Sequence, residues 1–117
     1  MFMKHKIETM ETKMEDHKIR TYIIYDIDEI SPISVATTIE QEDHIRIHYI
    51  HTQRRFRGQG LGTAILREIV KRAQQINKPI KLIAFHSLVD WYKKNGFQID
   101  ENNQSNYLIK MIKKVGE

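Results

Sequence analysis

The sequence predicts an α/β chain (α+β in some schemes) built on a mixed sheet. Three stretches carry this prediction. Residues 44–52 alternate apolar and polar side chains, as a half-buried strand does. Residues 61–76 place Leu61, Ile65, Ile69, Ala73 and Ile76 on one stripe of a helix. Residues 80–85 are apolar except for Lys81, the pattern of a strand buried in a sheet.

Each element follows from local chemistry. Residues 1–17 carry two competing patterns. Met3 to Thr9 reads as a short strand, whereas Ile7, Met10 and Met14 have helical spacing. Lys18 to Asp26 is rich in β-branched and aromatic residues and reads as a strand, and Asp26 to Pro32 as a turn. Ile33 to Glu40 is a second strand, with a polar turn to Asp43. In His44 to Thr52, Ile45, Ile47 and Tyr49 share one face, and His44, Arg46, His48 and Ile50 the other.

The helix over 61–76 carries a favourable Glu68–Arg72 spacing and ends at Asn77 and Pro79. Ser87 is placed to cap a short helix over 88–95, with Gly96 just past its end. Phe97 to Asp100 and Tyr107 to Ile112 are the last strands. The order is β-β-β-loop-α-β-α-β-β.

A chain of 117 residues predicts a single domain, 1–117. With 40% apolar and 29% charged residues, its composition is that of a globular chain rather than a disordered one. The absence of cysteine excludes disulfides, thiolate metal sites and a cysteine nucleophile. Met1 to Lys6 lacks the apolar core of a signal peptide, and no run is long enough to span a membrane. The expectation is a cytoplasmic protein with no membrane partner. A net charge of +4 suits an anionic ligand and is also compatible with weak nucleic-acid affinity.

The most informative stretch is Arg54-Arg55-Phe56-Arg57-Gly58-Gln59-Gly60-Leu61-Gly62, between a strand and the long helix. Glycines let backbone N–H groups approach a ligand, the helix N-terminus adds unpaired donors, and arginines suit phosphate. A P-loop needs Gly-Lys-Ser/Thr, and Gly62-Thr63 lacks the lysine. A Rossmann turn needs G-x-G-x-x-G, and the spacing here is Gly58, Gly60, Gly62. The plain alternative, a flexible loop before a helix, leaves the arginines unexplained.

Arg57-Gly58-Gln59-Gly60-Leu61-Gly62 resembles the Gln/Arg-x-x-Gly-x-Gly/Ala signature of the GNAT acyltransferase superfamily. Trp91-Tyr92-Lys93-Lys94-Asn95-Gly96-Phe97 is similar to that family's Phe-Tyr-x-Lys-x-Gly-Phe segment. The resemblance covers residues 33–113. It implies a mixed, mostly antiparallel central sheet with a V-shaped splay, flanked by helices. It further implies an N-acetyltransferase that takes acetyl from acetyl-coenzyme A, needs no metal, and acts on a small-molecule amine or a protein. Homodimerisation is compatible with it, and nucleic acid is not an expected partner, because no aromatic stacking array surrounds the charges.

By this likeness the backbone of Gln59, Gly60, Leu61, Gly62 and Thr63, after Gly58, holds the pyrophosphate. Arg54, Arg55 or Arg57 meets phosphate, the plain alternative for Arg54 and Arg55 being surface charge. Main chain from Ile50 to Thr52 would hydrogen-bond the thioester carbonyl. Tyr92 falls where the family often has its general acid. A phenol of pKa about 10 can protonate a thiolate whose conjugate acid has pKa about 8.5, and the competing reading is a core aromatic. His48 falls where some members place a catalytic histidine, with Glu40 and Glu42 as alternatives; an exposed strand histidine is the plain reading. A zinc site of His44, His48 and His51 is disfavoured: His44 and His48 stand roughly 13 Å apart along a strand, and His51 points the other way.

The sequence departs from the family in two places. Where many relatives carry an asparagine against the pantetheine arm, it has His86-Ser87. About fifty residues precede the loop, and most are spent on strands. The two helices that wall the acceptor site in typical members must be missing or replaced. The acceptor side is then open, completed by a second subunit, or suited to a large acceptor. Two other functions are compatible with the sequence: a coenzyme A-binding domain without catalysis, and a small basic nucleic-acid-binding domain whose affinity falls steeply with salt.

Overall fold

The computed structural model describes residues 5–116. Seven strands form one sheet: β1 (Ile7–Lys13), β2 (Lys18–Tyr25), β3 (Pro32–Glu40), β4 (Ile45–Thr52), β5 (Ile80–Phe85), β6 (Gln98–Ile99) and β7 (Leu108–Lys113). They lie side by side in the order β1-β2-β3-β4-β5-β7-β6. Two α-helices join them, α1 (Leu61–Ile76) and α2 (Val89–Lys94), each preceded by a 3₁₀ turn, Arg54–Phe56 and His86–Leu88. All pairings are antiparallel except β4 with β5. The mixed, mostly antiparallel sheet is therefore the one anticipated.

At the front of the chain the strand pattern prevails over the helical one. Ile7 to Lys13 pairs residue for residue with Ile24 to Lys18, so each polar main-chain group gains a ladder partner. The predicted strand over 3–9 moves to 7–13, and residues 3 and 4 lie outside the described residues. Residues 14–17 close this hairpin, with Met14 N–H donating to the His17 carbonyl at 2.9 Å. No helix precedes β3 among the described residues. β2 and β3 are joined by a turn in which the Asp28 carboxylate accepts from Ile30 N–H (2.9 Å) and Ser31 N–H (3.0 Å).

Both α-helices cover the same face. The crossovers β4-α1-β5 and β5-α2-β6 each join parallel strands and run the same way across the sheet, so right-handedness puts both helices on one side. Ile24, Ile45, Ile65, Leu66, Ile69, Ile80 and Met111 are fully buried between the layers. The shortest dimension, 24 Å, fits one sheet and one helical layer.

A bulge interrupts the alternation of β4. Thr38 pairs with Ile47 and Thr37 with Tyr49, so His48 is the extra residue. Ile45 and Ile47 face the helices before it; Ile50 and Thr52 face them after it, opposite the buried Ala36 and Ser34. Tyr49, expected beside Ile45 and Ile47, lies instead on the open face with His48, their rings edge-to-face at 5.8 Å.

Two local expectations are corrected. Arg72 does not pair with Glu68. Its guanidinium forks onto the buried Glu40 carboxylate at 2.8 and 3.0 Å, where a charge-assisted bidentate pair outweighs a solvated contact along the helix. Arg20 adds a third bond to Glu40 at 3.3 Å. Ser87 caps no helix: it lies inside the 3₁₀ turn, and neither that turn nor α2 has a side-chain cap.

Candidate active site

The β4–β5 ladder consists of Ile45↔Ile80 and Arg46↔Lys81 and then stops. Beyond Arg46 the two strands diverge, so the main-chain groups of β4 that face β5 have no strand partner and open into the gap. This is the V-shaped splay implied by the resemblance. Ile50, His51, Thr52, Arg57, Gly62, Leu88, Trp91 and Tyr92 line a cleft of about 420 Å³ there. A second hollow of about 170 Å³ adjoins it over the loop and the start of α1, lined by Gly58, Gly60, Leu61, Gly62 and Thr63 among others. Thr52, Arg57, Gly62 and Trp91 border both, so the two form one groove.

The loop geometry explains its glycines. Gly58 (φ 82°) and Gly60 (φ 79°) are left-handed, a region that strains any residue with a Cβ. Gly60 is the N-cap of α1, and no side chain caps the helix. The first turn also lacks an acidic residue, so its N–H groups and dipole face the hollow uncompensated. Gly62 is helical, and a Cβ there would stand 3.6 Å from the Trp91 ring and 3.8 Å from the Thr52 hydroxyl. That volume belongs to the groove. An anionic, chain-like ligand fits this donor set.

The arginines divide. Arg57 donates from Nε to the Thr52 carbonyl at 3.0 Å, which fixes its guanidinium at the groove with the terminal nitrogens left over. Arg55 lies over the Phe56 ring, 4.9 Å from its centroid, and within 4.0 Å of the Asp26 carboxylate. Arg54, Arg55 and Gln59 line neither hollow.

Tyr92 is only 7% exposed and sits edge-to-face between Trp91 (4.8 Å) and Phe97 (5.6 Å). Burial pushes its phenol above the ordinary tyrosine value, so the proton stays on at neutral pH. The two readings of Tyr92 coincide: its ring is core, and it borders the cleft. Thr52 is held by a 2.8 Å hydrogen bond between its hydroxyl and that of the buried Ser34.

The histidines are placed differently from the sequence expectation. His51 borders the cleft with Tyr92; His48, at the bulge, does not. The extra residue resets the alternation, which is what strict period two could not reveal. Glu40 is removed as a proton acceptor, because it is paired with Ile45 at the far end of β3 and held by two arginines. Trp91 and Leu88 are wall residues that sequence reasoning did not single out. The aromatic pair Trp91-Tyr92 was the available signal. Among the described residues no cluster of three His, Asp or Glu side chains is placed to hold a metal, and no helix is long and apolar enough to cross a membrane.

Similarity to known proteins agrees with this geometry. The family profile described as acetyltransferase (GNAT) domain matches residues 2–114. Escherichia coli ElaA superposes with a TM-score of 0.71 at 16% identity, covering 82% of this chain and 68% of that one. The PaiA N-acetyltransferase of Thermoplasma acidophilum, solved in complex with coenzyme A, gives 0.71 at 15% identity, covering 82% and 60%. The anti-CRISPR protein AcrVA5 gives 0.58 at 16% identity, covering 87% and 96%, and is thus of comparable size. A sequence search of curated proteins finds no match. The profile spans nearly the whole chain, and the protein belongs to the GNAT acetyltransferase family, whose members use acetyl-coenzyme A.

Proposed function

We propose that the protein is an N-acetyltransferase that moves the acetyl group of acetyl-coenzyme A directly onto an amine. The observation that carries this reading is the continuous groove from the uncapped start of α1 to Tyr92 across the β4–β5 gap. The diphosphate lies on the N–H groups of Gly60 to Thr63, with Arg57 as its cationic partner. The acyl arm follows the unpaired edge of β4, where main-chain N–H groups between Ile50 and Thr52 stabilise the oxyanion of the tetrahedral adduct.

The amine enters from the open side of the gap and gives up its proton to a histidine of β4. His51 is the acceptor favoured by position, and His48, acting through water, the one favoured by family resemblance. The C–S bond breaks as the adduct collapses, and Tyr92 protonates the thiolate. With no cysteine in the chain, no acyl-cysteine forms, and donor and acceptor are bound together.

Thermal-shift titration with acetyl-coenzyme A, free coenzyme A and ATP tests the groove. Ligand at a hundred times its dissociation constant adds about 2.7 kcal/mol. Both coenzyme A forms are expected to stabilise the protein and ATP is not. No shift with either coenzyme A form rejects the assignment. His51→Ala and His48→Ala then separate the proton acceptors: replacing the responsible one lowers turnover without weakening the donor's shift.

A further inference from the structure

The helix-free side of the sheet carries charge of one sign around the β4–β5 gap. Arg46 and Lys81 form the last rung of the β4–β5 ladder, side by side at the vertex of the gap. Both point away from the helices, because their neighbours Ile45, Ile47, Ile80 and Leu82 are buried in the core. Lys110 pairs with Ile83 on the same face, one strand further out. Among the described residues none of these three cations has a carboxylate within ion-pair distance. Asp43, on the turn before β4, is paired with His44 at 2.7 Å. Strands β4, β5 and β7 contain no acidic residue, and Glu40 of β3 is turned to the helices, where Arg72 holds it. The one carboxylate that the described strands present on this face is Glu8, on β1 at the far edge.

His51 lies on the same face and borders the cleft with Tyr92. At ~3.3 Å per residue, leaving out the bulged His48, it stands about 13 Å along β4 from Arg46. Between the two, Tyr49 and Ile83 form an apolar floor, at 46% and 50% exposure.

We infer that the acceptor is a peptide whose N-terminal amine enters the gap at His51 and whose acidic side chains, at its third to fifth residues, lie against Arg46 and Lys81. This deepens the acetyltransferase reading and rests on it. Length, floor and charge select that class. The span from His51 to the cations exceeds an amino acid and equals an extended peptide of about four residues at the same rise. The half-exposed floor receives the first, apolar side chains. A free N-terminus stands at the end of its chain, so a single run of residues reaches from the gap to the cations. A polyamine or an aminoglycoside finds no anion at the gap for its further amines, and meets like charge at Arg46 and Lys81.

Five-residue peptides test this, each with the same two apolar residues first and then three glutamates, three glutamines or three lysines. With acetyl-coenzyme A as donor, kcat/KM is expected to fall in that order, by at least about tenfold from glutamate to lysine, and the difference to shrink with added salt. Arg46→Glu combined with Lys81→Glu is expected to reverse the order while the coenzyme A thermal shift stays unchanged. An order that is flat, that favours the lysines, or that the double exchange leaves as it was overturns the inference. Faster turnover of spermidine than of the glutamate peptide also overturns it, as does acetylation of none of the peptides by a protein that coenzyme A stabilises. A protein that coenzyme A does not stabilise fails the acetyltransferase reading beneath it, so the two failures are distinguishable.

Discussion

Strands β3 and β4 run from one end of the molecule to the other, and their two ends are built on opposite terms. Where Glu40 pairs with Ile45, β4 is still laddered to β5, and a buried carboxylate is held by Arg20 of β2 and Arg72 of α1. Where Ser34 pairs with Thr52, β5 has moved away, and glycines and unpaired main chain take the place of ion pairs. The same strands thus fasten the fold at one end and leave donors unspent at the other. Polar groups satisfied by the protein add to stability or specificity, and those left unsatisfied beside a cavity are available to a ligand.

The largest effect is expected at the fastened end. Glu40→Ala leaves two arginines without their shared anion and costs about 3 kcal/mol, by analogy with other broken buried pairs. Chemical denaturation measures this, and a loss under about 1 kcal/mol would dissolve the contrast between the ends. Burial alone would raise the Glu40 pKa, but the Arg72 hydrogen bond and the charges of Arg72, Arg20 and Lys18 outweigh it and lower it. A depressed folded-state pKa gives stability that is present above the ordinary value, about 4.3, and is lost as pH falls through the folded value. Glu40→Gln is therefore expected to flatten the acid limb of the unfolding curve.

Next in size is Tyr92→Phe at the open end. It keeps the ring contacts with Trp91 and Phe97 but removes the hydroxyl proposed as the proton donor. Turnover falls by about 100-fold or more while thermal stability and the coenzyme A shift hold. Equal losses of stability and rate would show that the open end is structural after all.

Gly62→Ala comes third. It improves helix propensity by up to about 1 kcal/mol, yet its methyl enters the groove between Trp91 and Thr52. The expected result is a more stable protein that binds acetyl-coenzyme A about tenfold more weakly.

Tyr22→Phe is the smallest. The Tyr22 hydroxyl is buried at the fastened end without a hydrogen-bond partner, and burial pushes its pKa up to about 12. Removing it changes stability by less than about 1 kcal/mol, or raises it. A larger loss would reveal an interaction that the fold hides.

The two ends were also unequally legible. The boundaries of α1 and β5 follow directly from periodicity and from the stop at Asn77 and Pro79, because long apolar patterns reflect the core they pack into. The loop glycines and Tyr92 were readable because their spacing serves backbone geometry and a family pattern. The Arg72–Glu40 pair was not, since it joins residues far apart in sequence, and the local Glu68 offered a decoy. The bulge at His48 was equally hidden. One unpaired residue leaves no compositional trace, yet it decides that Tyr49 faces outward and Thr52 inward.

The clamp on Arg72 has a consequence for how α1 answers a ligand. The helix is pinned to the sheet by an ion pair near its C-terminal end, and its first turn, seated through buried Leu61, has no polar side-chain anchor. Its tip at the groove is therefore held by packing alone, with its N–H groups unpartnered. Amide exchange should then slow steadily from Thr63 toward Ala73, and an anion seated on the tip should erase that gradient without altering the pinned end.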